Sequence, residues 1–148
     1  DLVNLLDEYR RAWRDAGHAG DGDAFLRIPI YVGASQDEAY ADAEESTMLS
    51  YRRMAKNFAL SASAAGAVVS EDRAARGERL ASVSYEDLIR DRLAYGSPEG
   101  VVRQLKEISK ELGLSGIVAE TNVGGLISRE KVARSIDLFC KEVVPALR

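Results

Sequence analysis

Cysteine and histidine are nearly missing from this chain, with Cys140 and His18 as single representatives among 148 residues. One cysteine excludes an internal disulfide and fits a reducing compartment, the cytoplasm. With one imidazole and one thiol, no zinc site of ordinary ligand composition can be assembled, and no metal is expected. A Ser-His-Asp arrangement has only His18 to draw on, and no Gly-x-Ser-x-Gly elbow presents a serine. His18 stands in a glycine-rich turn beside an expected helix end, where a surface position near the helix dipole explains it without catalysis.

A surplus of positive charge and a long apolar run are lacking too. Twenty Lys+Arg against 24 Asp+Glu leave a formal net charge of -4 and no basic patch, so nucleic acid is not an expected partner. No stretch is apolar over the ~20 residues a bilayer crossing needs, and neither end reads as a secretory signal, so no membrane partner is expected. The 46% hydrophobic and 30% charged shares are those of a globular chain.

Leu2, Leu5, Leu6, Tyr9, Trp13 and Ala16 recur at three- and four-residue steps and form one apolar stripe on a helix over residues 1–17. Residues 25–34, mostly apolar with β-branched members, predict a buried strand. Pro29 is expected at its leading end, because proline has no ladder donor. Ser35 followed by Glu38 is the capping-box pattern and opens a helix through residues 39–43, with an extension into 51–60 left open. Residues 61–84 show no convincing period, with small residues at 61–67 and dense charge at 71–79. They are expected to form a mobile excursion with one short helix.

Residues 85–93 predict a helix and 94–96 a brief strand. Ser97-Pro98-Glu99 opens a helix with proline at the first position, where its missing N–H costs nothing; Val101, Leu105, Ile108 and Leu112 form its stripe and Gly113 closes it. Ile117-Val118-Ala119 is short and uniformly apolar, the pattern of a parallel strand covered on both faces. Ser128 restarts a helix carrying Val132, Ile136, Phe139, Val143 and Leu147 on one side. Cys140, one step off that stripe, is expected to be a small packing residue. Strands alternating with helices predict an α/β fold of about three parallel strands with flanking helices.

Two places have residues suited to a ligand. Gly96-Ser97 stands at a helix N-terminus, where free N–H groups and the dipole suit an anion; the competing role for Ser97 is to cap its own helix. Ser35, Thr121 and Asn122 follow strand ends, with Gly124-Gly125 as the alternative, purely structural, reason for the latter turn.

The elements Gly96-Ser97-Pro98-Glu99, Gly116-Ile117-Val118 and Ser135-Ile136-Asp137-Leu138-Phe139-Cys140-Lys141-Glu142-Val143-Val144-Pro145 resemble the closing βα units of the bacterial luciferase-like, flavin-dependent monooxygenases. The match is close over residues 95–148 and looser over 28–38. Residues 42–90 correspond only in place and length. The resemblance implies a partial (β/α)8 TIM-type barrel, because a closed one takes about 250 residues. It makes residues 1–148 the C-terminal portion of a longer polypeptide, in keeping with a chain that opens on Asp1 rather than methionine.

The resemblance further implies reduced FMN as cofactor, O2 and an organic small molecule as substrates, oxygenation through a peroxyflavin, and a flavin reductase as a possible supplier. It would place Gly96 and Ser97 against the cofactor and Ser35, Thr121 and Asn122 at the substrate pocket. Residues 61–93 would form a lid, with Arg73, Arg76, Arg79, Arg90 and Arg92 available for anionic groups. The family's catalytic histidines have no counterpart here, so catalytic residues are unassigned, and the portion alone is expected to be inactive and to hold no flavin. Two alternatives stay open: a deazaflavin (F420)-dependent oxidoreductase on the same scaffold, and a non-catalytic half-barrel binding or assembly module. Exposed barrel edges predict self-association.

Overall fold

The computed structural model describes residues 2–63 and 67–148, as backbone alone over 67–70. In chain order the elements are α1 (Leu2–Asp15), β1 (Phe25–Val32), α2 (Gln36–Ser63), α3 (Ala67–Ser82), α4 (Tyr85–Asp91), β2 (Ala94–Gly96), α5 (Pro98–Leu112), β3 (Gly116–Glu120), α6 (Arg129–Leu138), a π-helical turn (Phe139–Val143) and α7 (Val144–Leu147). The three strands form one parallel sheet in the order β2-β1-β3.

Alternation along β1 sorts its side chains between two layers. Ile28, Ile30 and Val32 pack with Ala94, Val101, Leu105 and Val143, so α5 and the C-terminal helical segment cover that face. Tyr31 points to the other face, with Tyr95, Ala39, Ala43, Tyr85, Leu88 and Ile127, and there α2 and α4 form the cover.

β1 changes partners along its length. It pairs with β3 from Phe25↔Gly116 to Pro29↔Glu120, and with β2 from Ile30↔Ala94 to Val32↔Gly96. Pro29 therefore sits mid-strand rather than at the leading end expected from its missing N–H. It lies at the level where β3 stops and β2 starts, so the absent donor interrupts neither ladder for long. Beyond the end of β3, the Val32 N–H donates to the buried Ser135 hydroxyl at 2.7 Å. That bond fixes the rotation of α6: Ser135 turns inward and Ile136, expected on the buried stripe, is 40% exposed.

Where an excursion with one short helix was expected over 61–84, residues 61–63 end a long helix and residues 67–82 form a second one. α2 is continuous over 28 residues, about 42 Å, and α3 runs for 16 residues. Ala64, Ala65 and Gly66 lie outside the described residues. The pairing of α2 with α3 depends on close backbone approach, with a β-carbon on Gly77 only 3.2 Å from the Ala55 carbonyl oxygen. Alanine and glycine at such a seam supply little hydrophobic periodicity.

β3 departs from its expected cover on both faces: Val118 is 50% exposed and Ala119 also faces solvent. Only β1 flanks it, and no described strand pairs with its other edge. Cys140 is exposed rather than packed. It falls in the π-helical turn, where the Val144 N–H reaches the Phe139 carbonyl and Pro145 follows with no N–H to donate. At the far end of the sheet, Arg10 of α1 donates to the carbonyls of Leu112 at 2.6 Å and Gly113 at 2.9 Å, placing a cation on the C-terminal end of α5.

Candidate functional site

The C-terminal ends of β1 and β2 meet through a hydrogen bond from the Gly33 N–H to the Gly96 carbonyl, 3.0 Å. The loops that follow bring Ser35 and Ser97 to neighbouring helix N-termini. Both serines cap. Ser35 accepts from the Glu38 N–H at 3.1 Å, while the Glu38 carboxylate accepts from the Ala34 N–H at 2.9 Å. Ser97 accepts from the Gly100 N–H at 3.3 Å. Each hydroxyl still has its own proton to donate.

Gly96 combines two properties rarely found together. It is buried, yet a β-carbon built there meets no heavy atom within 4 Å, and its φ of 154° suits glycine alone. A gap therefore lies against its α-carbon at the mouth of β2.

Thr121 and Asn122 belong to a separate turn. β3 ends level with Pro29, three residues short of Val32. Asn122 adopts a φ of 54°, and its side-chain carbonyl accepts from the Ile127 N–H at 3.2 Å. Its backbone carbonyl accepts from the Gly125 N–H at 3.1 Å. The buried Ser46 hydroxyl pins this turn to α2, donating to the Val123 carbonyl and accepting from the Leu126 N–H. Thr121 is exposed.

A polar network that sequence reasoning missed crosses the sheet face beneath α2. The Tyr31 hydroxyl donates to Asp42 at 3.0 Å, Lys131 donates to the same carboxylate, and Arg134 bonds Glu38 at 2.7 Å. Burial and then the Asp42 carboxylate push the Tyr31 phenol far above its ordinary range. Burial opposes the charge on Asp42, but the hydrogen bonds from Lys131 and Tyr31 outweigh it and hold the carboxyl below its ordinary value. Buried Thr47 shares a 3.0 Å hydrogen bond with the Tyr95 hydroxyl, whose pKa burial pushes up to about 12. The rings of Tyr31 and Tyr95 meet edge to face at 6.2 Å and 73°. Glu38, Asp42 and Ser46 recur every four residues, and that polar stripe on a helix was the available signal.

The arginines of residues 61–93 part company. Arg90 is bound to Asp87 and Asp91, and Arg73 is exposed. Arg76, Arg79 and Arg92 line one concavity. His18 stacks on Trp13 with ring centroids 4.4 Å apart, which accounts for it structurally.

No protein-family model matches the chain, and no curated protein sequence matches it. Solved structures do. A monooxygenase from Streptomyces bottropensis aligns over 99% of this chain and 38% of its own, with a TM-score of 0.63 and 19% identity. The oxygenating constituent of 3,6-diketocamphane monooxygenase from Pseudomonas putida, a type II Baeyer-Villiger enzyme in complex with FMN, aligns over 97% of this chain and 39% of its own, with a TM-score of 0.65 and 18% identity. The fold is shared with luciferase-like flavin monooxygenases. A riboflavin lyase, with modified FMN and riboflavin, aligns over 99% of this chain and 36% of its own, at a TM-score of 0.60 and 18% identity. The chain thus spans less than two fifths of the luciferase-like structures it matches. Among the described residues, no helix is long and apolar enough to cross a membrane.

Proposed function

We propose that this chain is the C-terminal part of a luciferase-like, flavin-dependent monooxygenase of the cytoplasm, forming one portion of a (β/α)8 barrel. The observation that carries the reading is an open sheet face. Phe25 and Val118 lie on the Tyr31 side of the sheet, before α2 covers it, and are 64% and 50% exposed. Beside them runs the edge of β3 that pairs with no strand among the described residues. In a closed barrel that face looks inward and that edge meets the next strand. The partial alignment to barrel-sized flavin enzymes supports the same reading.

The residues present fit one side of a flavin site. The gap against Gly96 allows a ring or phosphate to approach the backbone, and the Ser97 hydroxyl has a proton to donate. Reduced FMN, when bound, supplies the activation of O2 for oxygenation of an organic substrate; a flavin reductase would deliver it. Ser35, Thr121 and Asn122 would line the substrate side. Residues 61–93 would serve as a lid, excluding water. Until other strands close the barrel, β3 and the exposed Phe25–Val118 face would draw chains together.

The test is FMN retention in equilibrium dialysis. The 148-residue chain alone is expected to hold little. A fusion that supplies the first strands of a structural neighbour ahead of this chain is expected to hold FMN near one to one, and less after Ser97→Ala. Stoichiometric retention by the chain alone would overturn the partial-barrel reading, and a folded fusion that ignores FMN would overturn the flavin reading.

A further inference from the structure

Along α2 charge is divided by sign. Residues 36–45 hold Asp37, Glu38, Asp42, Glu44 and Glu45 and no basic side chain, whereas residues 46–63 hold Arg52, Arg53 and Lys56 and no acidic one. Glu38 and Asp42 turn to α6, where Arg134 and Lys131 bond them. The other six are exposed, and none of them is in an ion pair among the described residues.

Asp37, Ala41, Glu44, Met48, Arg52 and Lys56 follow one another at three- and four-residue steps and so share one face of the helix. Two open grooves run along it. In one, Asp37 and Glu44 stand with Glu86 of α4; in the other, Arg52 and Lys56 outnumber Glu78 of α3. Neither Arg52 nor Lys56 has a residue of opposite charge three or four positions away on α2. They are instead a like-charged pair at a four-residue spacing, which weakens a helix standing alone. Compensation for either half of this face has to come from outside the helix.

We propose that this face is the contact surface of a two-fold dimer, in which α2 lies antiparallel on α2 of a second copy of the chain and the two cross at Met48. Residues equally far from Met48 then oppose each other, so Glu44 meets the second copy's Arg52, and symmetry repeats the pair. The acidic half of each helix covers the basic half of the other. A parallel arrangement would set carboxylate on carboxylate and guanidinium on guanidinium, so the charges select the direction as well as the partner. Half-buried Met48 supplies an apolar centre, and exposed Ala41 and Ala59 keep the face low enough for helix axes about 8–10 Å apart. The contact is separate from the Phe25–Val118 face and from the edge of β3. It is independent of the flavin reading.

Sedimentation equilibrium at about 100 µM provides the test, on the full chain carrying Phe25→Ser and Val118→Lys so that the sheet face takes no part. That chain is expected to be a dimer that dissociates as salt rises. Glu44→Lys and Arg52→Glu should each weaken it about tenfold or more, because by symmetry one substitution turns two attractive pairs into two repulsive ones. An equimolar mixture of the two reversed chains should regain the dimer, since every opposed pair in it again joins unlike charges. Arg103→Glu, the same reversal at an exposed site on α5, should change nothing. Circular dichroism checks the fold of each variant. Where a reversal unfolds the chain, Glu44→Gln or Arg52→Gln replaces it and should weaken the dimer less while flattening its salt dependence. A monomeric parent at about 100 µM, a mixture of folded reversed chains that stays monomeric, or equal losses from Arg103→Glu and Arg52→Glu overturns the proposal.

Discussion

Gly124 packs its α-carbon against the carbonyl of Ser46 so closely that a β-carbon would overlap the oxygen. The same serine's hydroxyl ties down Val123 and Leu126. One residue of α2 thus holds the turn after β3 by steric fit and by hydrogen bonds, and the two devices work only with glycine at 124.

Gly124→Ala should lower stability in urea unfolding by about 3 kcal/mol, from overlap and from a φ of 86° that alanine resists. Gly125→Ala is the matched control. Its φ of 77° carries the same backbone penalty, but a β-carbon there meets nothing within 4 Å. It should cost about 1 kcal/mol. Equal losses would mean that the contact with Ser46 contributes nothing.

Asp42 makes the protein acid-sensitive. Its folded pKa lies below the ordinary 3.8, so the unfolded chain binds the proton first as pH falls. The stability it contributes is complete above 3.8 and disappears as pH drops through the lowered value. Urea midpoints measured between pH 6 and 2 should fall less steeply for Asp42→Asn than for the parent chain. An unchanged slope would remove Asp42 from the acid transition.

Tyrosine gives the opposite limb. Burial, the largest cause in each case, raises the pKa of Tyr31, Tyr51, Tyr85 and Tyr95 above the ordinary 10.0. Unfolding lets these phenols ionise, so their contribution is complete below 10 and is lost as pH rises towards the folded values. Phenolate absorbance should appear together with loss of helical circular dichroism above pH 10. Ionisation of all six tyrosines with helical signal intact would contradict their burial.

The hydrogen bond between Thr47 and Tyr95 gives a cycle free of pH. Thr47→Val leaves the buried phenol unpaired and should cost about 2 kcal/mol, whereas Thr47→Val with Tyr95→Phe should cost clearly less than the two single changes added together. Strict additivity in thermal or urea unfolding would show that the two hydroxyls do not interact.

Exposed apolar residues at the open sheet face set the association behaviour. Val118→Lys with Phe25→Ser should shift the chain towards monomer in sedimentation velocity at micromolar concentration, without loss of secondary structure. No shift would move the contact elsewhere.

Much of this molecule was legible in the order of its residues. Ser35, Ser97 and Ser128 cap helices, Gly113 closes one in the left-handed conformation, and the alternation of strands with amphipathic helices marks a parallel sheet. These signals are local, because each depends on residues within four or five positions and on backbone preferences that neighbours seldom override. Strand order, the mid-strand place of Pro29 and the exposure of Val118 were settled by partners far along the chain. So were the rotation of α6 onto Ser135, the length of the α2–α3 pair, and the meeting of Tyr31 with Asp42 and of Thr47 with Tyr95. Those outcomes come from which surfaces are buried against each other and which buried N–H or hydroxyl needs a partner, and only the packed chain decides that.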